Sequence, residues 1–303
     1  MLLRSALLLA VVGLAAFYVL TIPSTLALDA LKPRTANLAN GETMFSTGGC
    51  ASCHATPKQD DRRLLGGGLA LGSPFGIFRV PNISSDTKAG IGAWTEAQFA
   101  TAMLKGVGRD GEHLYPAFPY TSYQRMALDD VRDLYAFMKT LPPATTPSEP
   151  HQLPFPFTIR RGLGLWKLLF LDGQPFVPDQ SKDAAANRGA YLVEGPGHCA
   201  ECHSGRNILG GINGSQRFAG GADLEGKGGW VPNITPHADG LADWSVKDFE
   251  FFLQSGQTPV GASVEGSMAD VIRNTSKLTP DDRHAMSVYL KALPPRPGKK
   301  PAR

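Results

Sequence analysis

Residues 50–54 read Cys-Ala-Ser-Cys-His and residues 199–203 read Cys-Ala-Glu-Cys-His, and together they hold all four cysteines of the chain. One helical turn separates two thiols by the distance that lets them form thioethers to the two vinyl groups of a haem. The adjacent imidazole then falls under the iron. The pattern predicts two covalently attached c-type haems on Cys50, Cys53, Cys199 and Cys202, with His54 and His203 as proximal ligands. A zinc ribbon also uses two Cys-x-x-Cys pairs, but roughly 15–20 residues apart. Here 146 positions separate Cys53 from Cys199. A thioredoxin-like redox pair would need a βαβ pattern, which neither motif has around it. Structural disulfides would rarely take a two-residue spacing twice with His after both.

Superposing the motifs brings further matches at a nearly constant offset, which marks a duplicated unit. Cys50 and Cys199 differ by 149 positions, and Pro81-Asn82-Ile83-Ser84 recurs as Pro232-Asn233-Ile234-Thr235 at 151. Trp94, Phe99 and Gly106 recur as Trp244, Phe249 and Gly256 at 150, and LDDVRDLYAFMKTLPP from Leu128 recurs as PDDRHAMSVYLKALPP from Pro280 at 152. The expected fold is all-α: two tandem class I-like cytochrome c domains, residues 36–142 and 183–296. A helix should enter each haem motif, over roughly 36–49 and 183–196. The next should open at Thr95 or Ser245, with Gln98 or Asp248 three residues on and a glycine closing it. The last begins near Asp129 or Asp281 and ends before the Pro142-Pro143 or Pro294-Pro295 pair. Val131, Leu134, Tyr135 and Met138 form one apolar stripe on it. The macrodipole accounts for the acidic residues at its start. Domains this small are marginal on their own core, so haem must supply much of the interior.

Gly and Pro contribute 58 of 303 residues, so long connecting loops are expected. A formal charge of +3, with basic residues scattered apart from the GKKPAR end, demands no nucleic-acid partner. The first 28 residues are a membrane anchor or a signal peptide. Ser5 to Ile22 is uncharged and apolar. At helical rise those 18 residues span roughly 27 Å, close to the hydrocarbon core of a bilayer, and no clean small-x-small cleavage site follows. An anchor over residues 5–22 is the favoured reading, and either reading takes the rest of the chain out of the cytoplasm. Residues 143–182 form the linker. Its second part, RRGLGLWKLLFLDGQPFVP, reads either as a docking or membrane-touching strip or, preferably, as a linker covered by packing across the first domain.

The distal iron ligand of the second haem is expected to be Met268, the one sulfur in the loop GASVEGSMADVIRNTS. In the first copy Pro116, Ala117 and Phe118 occupy the corresponding place, with no sulfur. Met126 lies eight residues after Phe118 and is the favoured distal ligand. His113 or an open site are the alternatives, His113 reading as a solvated loop residue and Met103 as core.

These motifs, with the LYPAFPYTSYQRM and GSMADVIRNTS loops, give a chain that resembles the multihaem cytochrome c subunits of bacterial membrane-bound dehydrogenases acting on alcohols, gluconate or aldehydes, and of some molybdenum hydroxylases. The resemblance covers nearly everything after residue 35. In that family the first loop often reads AMPY, its Met being the ligand. This chain has AFPY, and relatives with AFPYTS carry a Met where Met126 stands. The resemblance implies an electron carrier, not itself an enzyme, that passes electrons from a periplasmic or membrane-bound dehydrogenase to a quinone or terminal oxidase of the respiratory chain. It also implies a location on the periplasmic side of the bacterial inner membrane. The rival is a haem enzyme, peroxidase-like or sulfur-oxidising, with one open iron. No Ser/His/Asp spacing, His-Glu-x-x-His or paired carboxylates suggest other catalysis.

Overall fold

The computed structural model describes residues 2–224 and 229–298, so of the basic GKKPAR end only Gly298 is included. The chain opens with α1 (Leu2–Leu20), then runs through α2 (Leu38–Thr47), α3 (Cys50–His54), a short hairpin of β1 (Ala70–Ser73) and β2 (Gly76–Arg79), α4 (Glu96–Lys105), α5 (Tyr120–Tyr123) and α6 (Leu128–Met138). The linker contributes α7 (Leu163–Phe170). There follow α8 (Ala184–Glu194), a 3-10 turn over Cys199–Glu201, a minimal hairpin of β3 (Gly221–Ala222) and β4 (Trp230–Val231), α9 (Val246–Ser255), α10 (Gly266–Thr275) and α11 (Pro280–Lys291). Both hairpins are antiparallel. The fold is helical, as expected. The hairpins, α5, α7 and α10 were not anticipated.

The helix signals are used as written. Thr95 accepts from the Gln98 amide while Gln98 caps Thr95 in return, and Ser245 and Asp248 repeat this box on α9. Gly106 and Gly256 end α4 and α9 in the left-handed conformation. After both, the chain makes the same small bridge, Val107 to His113 and Gln257 to Ser263. The repeat therefore extends into backbone that shares little sequence.

In each half the helix entering the haem motif crosses the last helix at backbone contact. A Cβ on Gly41 of α2 would stand 2.2 Å from the Asp133 carbonyl oxygen of α6, and one on Gly189 of α8 would stand 1.9 Å from that of Ala285 on α11. Around the first crossing Met44, Phe45, Leu134, Phe137 and Met138 are buried, and around the second Leu192, Val193, Met286 and Leu290. Of the stripe expected on α6, Val131, Leu134 and Met138 are buried and Tyr135 is only half-buried, packed against the core, and Met103 is core. Asp133 is buried between the halves of its own crossing. It accepts from Arg34 at 2.6 Å, the Asn37 amide at 2.8 Å and Asn40 Nδ2 at 2.9 Å. These partners strap the segment after α1 onto α6.

Candidate functional site

The thiol-bearing turns are set by glycine-rich entries. Gly49, at φ +59°, starts α3, and His198, at φ +39°, starts the Cys199–Glu201 turn, which closes with the His203 amide donating to Cys199 O at 3.0 Å. No disulfide joins either pair, and among the described residues no three His, Cys, Asp or Glu side chains gather as a protein-only metal site needs.

Each histidine is oriented identically. His54 Nδ1 lies 2.9 Å from Pro81 O and His203 Nδ1 lies 2.8 Å from Pro232 O. A carbonyl only accepts, so Nδ1 carries the proton and Nε2 keeps the lone pair that a metal needs. Burial lowers both imidazoles, that of His54 to about 4, which keeps them neutral. The proline carbonyls were not foreseen, although their signal, the doubled Pro-Asn-Ile-Ser/Thr, was. Asn82 Nδ2 donates to Ala144 O at 2.7 Å and Thr146 O at 2.8 Å, and Oδ1 takes the Ser84 amide at 2.9 Å. Asn233 does the same with Arg296 O at 2.8 Å and the Thr235 amide at 2.9 Å. The motif clamps the loop carrying the carbonyl to the chain leaving the last helix. Gly67 (φ +69°) and Gly220 (φ +83°) close the loop from the other side, each donating its amide to the histidine's own carbonyl at 2.9 Å. The set fits a covalently held haem: a thiol pair, a following imidazole with Nε2 spare, and a rigid support behind it.

Burial raises the Cys50 and Cys199 thiols to about 12. The cause is burial of both sulfurs away from water.

A scan against family models matches residues 38–142 to the cytochrome c family. Over 262 residues the chain is 48% identical to a dihaem c-type cytochrome of Cereibacter sphaeroides, covering 86% of this chain and 87% of the relative. This chain belongs to the dihaem c-type cytochromes. The cytochrome is also 39% identical to the fructose dehydrogenase cytochrome subunit of Gluconobacter japonicus, over 85% of its own length and 53% of the relative's. With the gluconate 2-dehydrogenase cytochrome c subunit of Pantoea cypripedii it shares 34%, over 89% of its length and 63% of the relative's. It spans about half to two thirds of those two subunits.

The expected distal residues occupy different settings. Met268 stands in the first turn of α10, half-buried, rather than in the irregular loop expected before the last helix. Met126 is 2% exposed, in the turn between α5 and α6, its amide donating to Tyr123 O at 2.9 Å. Phe118 packs on Tyr123, ring centroids 5.4 Å apart. His113 is not solvated as expected. It is 4% exposed, donates from Nε2 to Thr21 O at 2.9 Å, and has Nδ1 3.1 Å from Lys167 Nζ. Both ring nitrogens are engaged, so the cytochrome has no spare nitrogen there for iron.

The two attachment turns of the cytochrome lie against each other's halves. Glu201, the third residue of the second motif, accepts from Thr121 Oγ1 at 2.7 Å and Ser122 Oγ at 2.8 Å on α5, and pairs with Arg206 at 2.7 Å. Burial alone would raise the Glu201 carboxyl, but Arg206 and the two hydroxyls hold it below the usual carboxylate range. Gly48 O, two residues before Cys50, receives Tyr123 OH at 3.2 Å and lies 3.2 Å from His198 Nε2, next to Cys199. Sequence reading missed these contacts because they join residues 75 to 150 positions apart.

Proposed function

We propose that the chain is a membrane-attached dihaem electron carrier, built as two tandem cytochrome c domains over residues 36–142 and 183–296. Cys50, Cys53, Cys199 and Cys202 hold two c-type haems, His54 and His203 are the proximal ligands, and Met126 and Met268 the distal ones. The haems supply one-electron exchange between ferric and ferrous iron. The chain's own residues orient the imidazoles, exclude water and keep the two centres at a fixed separation.

The observation that carries this reading is the doubled histidine-to-proline-carbonyl bond, with one tautomer enforced on both motifs. Met126 supports closure of the first iron, since a buried thioether follows the loop in which Phe118 replaces sulfur. The names of the relatives, dehydrogenase cytochrome subunits among them, weigh for a carrier within a dehydrogenase complex rather than for a haem enzyme with an open iron. A membrane-bound or periplasmic dehydrogenase is the donor and a quinone or terminal oxidase the acceptor.

Residues 2–20 are read as a retained anchor in the inner membrane, with the haem domains on its periplasmic side. The helix is long and apolar enough to span by length and composition. Its end has built-in partners. Arg161 Nε donates to Thr21 Oγ1 at 2.7 Å and its other nitrogen to Tyr18 O at 2.7 Å, a cation at a helix C-terminus. Cleavage after α1 would strip Arg161 and His113 of these partners.

Carbon monoxide added to the dithionite-reduced protein tests the carrier reading, since it binds only iron with an open or weakly held site. The expected result is an unchanged haem spectrum. Binding at half the haem would overturn closure of the first iron and favour the enzyme.

A further inference from the structure

The linker helix α7 is built inside out. Gly164 and Lys167, one turn apart, are its buried residues, while Leu165, Leu168 and Leu169 are 41%, 61% and 66% exposed. Lys167 Nζ is turned inward, onto Lys105 O at 2.8 Å and Gly106 O at 2.5 Å at the end of α4, and lies 4.9 Å from the Tyr120 ring centroid. A helix facing water would show the opposite distribution, because burying an ammonium and exposing three leucines are both unfavourable there. The preferred expectation of a covered linker is met on one face only.

The place of α7 identifies what covers the other face. A Cβ on Gly164 would lie 2.6 Å from Thr21 Cβ, so the helix packs directly on the exit of α1. Wherever the span leaves hydrocarbon, α7 is beside it. The apolar surface continues beyond the helix. Trp166 Nε1 donates to Leu209 O at 2.9 Å, beside Ile208 at 93% exposed. Phe75 joins Gly210 to Phe157, the rings of Phe75 and Phe157 being 5.1 Å apart. From His151 to Leu171 the chain contains no Asp or Glu, so no carboxylate on this strip opposes an anionic headgroup surface.

We infer that α7 is an interfacial membrane helix, lying along the lipid surface beside α1 with Leu165, Leu168 and Leu169 in the acyl boundary. This rests on the reading of α1 as a span. The helix and the span together fix the tilt of the haem domains.

In the holoprotein the four cysteines are thioethers, so an introduced cysteine is the sole thiol. Full-length Leu168→Cys and, as a control at the exposed start of α9, Lys247→Cys would each carry a nitroxide and be reconstituted in vesicles containing phosphatidylglycerol. Collision with oxygen, which concentrates in lipid, is compared with collision with a water-soluble nickel chelate. The inference predicts oxygen-dominated relaxation at 168 and nickel-dominated relaxation at 247. Equal nickel access at both sites overturns it, as does a label at 168 that leaves water only when a dehydrogenase is added. The mass of the vesicle-bound protein reports separately on α1. If α1 is retained and the 168 label stays in water, the interface fails alone. If α1 is lost and the label is in lipid, only the anchor reading fails.

Discussion

The Ser52 hydroxyl, inside the first attachment turn, accepts a 2.8 Å hydrogen bond from Asn274 Nδ2 on α10, the helix whose first turn carries Met268. Glu201 of the second turn is held by Thr121 and Ser122 on α5, five and four residues before Met126. Each turn is thus braced by the segment of the other half that carries that half's proposed distal methionine. Tyr191 of α8 adds to the same seam, its hydroxyl donating to Asp130 of α6 and receiving the Ala127 amide at 3.2 Å. A seam of this kind holds the two attachment turns at one separation and orientation.

Glu201→Ala should destabilise the protein by about 3 kcal/mol, because it leaves the half-buried Arg206 without its carboxylate. Asn274→Ala, which removes one neutral bond, should cost about 1 kcal/mol. Urea unfolding measures both. Removing the negative charge beside the second haem should also raise that haem's midpoint potential, read by spectroelectrochemical titration.

The same carboxylate gives a pH dependence of known sign. Its folded pKa is lowered, so it contributes stability in full above the ordinary carboxylate range, and that contribution is lost as pH falls through the lowered folded value. Glu201→Gln should remove that part of the acid slope. Unfolding midpoints taken between pH 7 and about 3 should therefore converge for variant and parent at the acid end.

Met126→Leu keeps volume and should cost less than about 1.5 kcal/mol in stability. It should nonetheless let carbon monoxide bind half of the reduced haem. Phe118→Leu should leave gas binding unchanged. If Met126→Leu binds no gas, the first iron takes its distal ligand elsewhere.

Asn82→Ala removes two donated bonds and one accepted bond in a site 3% exposed, and should cost about 2–3 kcal/mol in thermal or urea unfolding. Asn233→Ala should act in the same direction on the second half. A loss below 0.5 kcal/mol, the ordinary range for surface changes, would refute the clamp.

Gly41→Ala and Gly189→Ala force a methyl against backbone oxygen at the two helix crossings and should each destabilise by about 2 kcal/mol or more. Gly162→Ala, with open space around it, should stay within about 0.5 kcal/mol.

The boundaries of α4, α6, α9 and α11 and both attachment turns were legible because their causes are local, whereas α5, α7 and α10 were not. A capping box, a left-handed glycine or a Cys-x-x-Cys-His turn is complete within a few residues, and the duplication displayed each twice. The capping glycines Gly106 and Gly256 end their helices where the sequence placed them. His113 shows where local reasoning stops. In sequence it is a polar residue in a glycine-flanked loop, and its burial comes from Thr21 and Lys167, 92 and 54 positions away.

The same division holds for the function. Residue order alone determined the two thiol pairs, the two imidazoles and the repeat, since these need only adjacency. Tertiary structure decided which carbonyl orients each imidazole and how the attachment turns are braced across the seam. It also decided that the linker helix turns its lysine inward and its leucines out. Those arrangements depend on which distant segments the packing of α2 on α6 and of α8 on α11 brings together, and no local pattern records that.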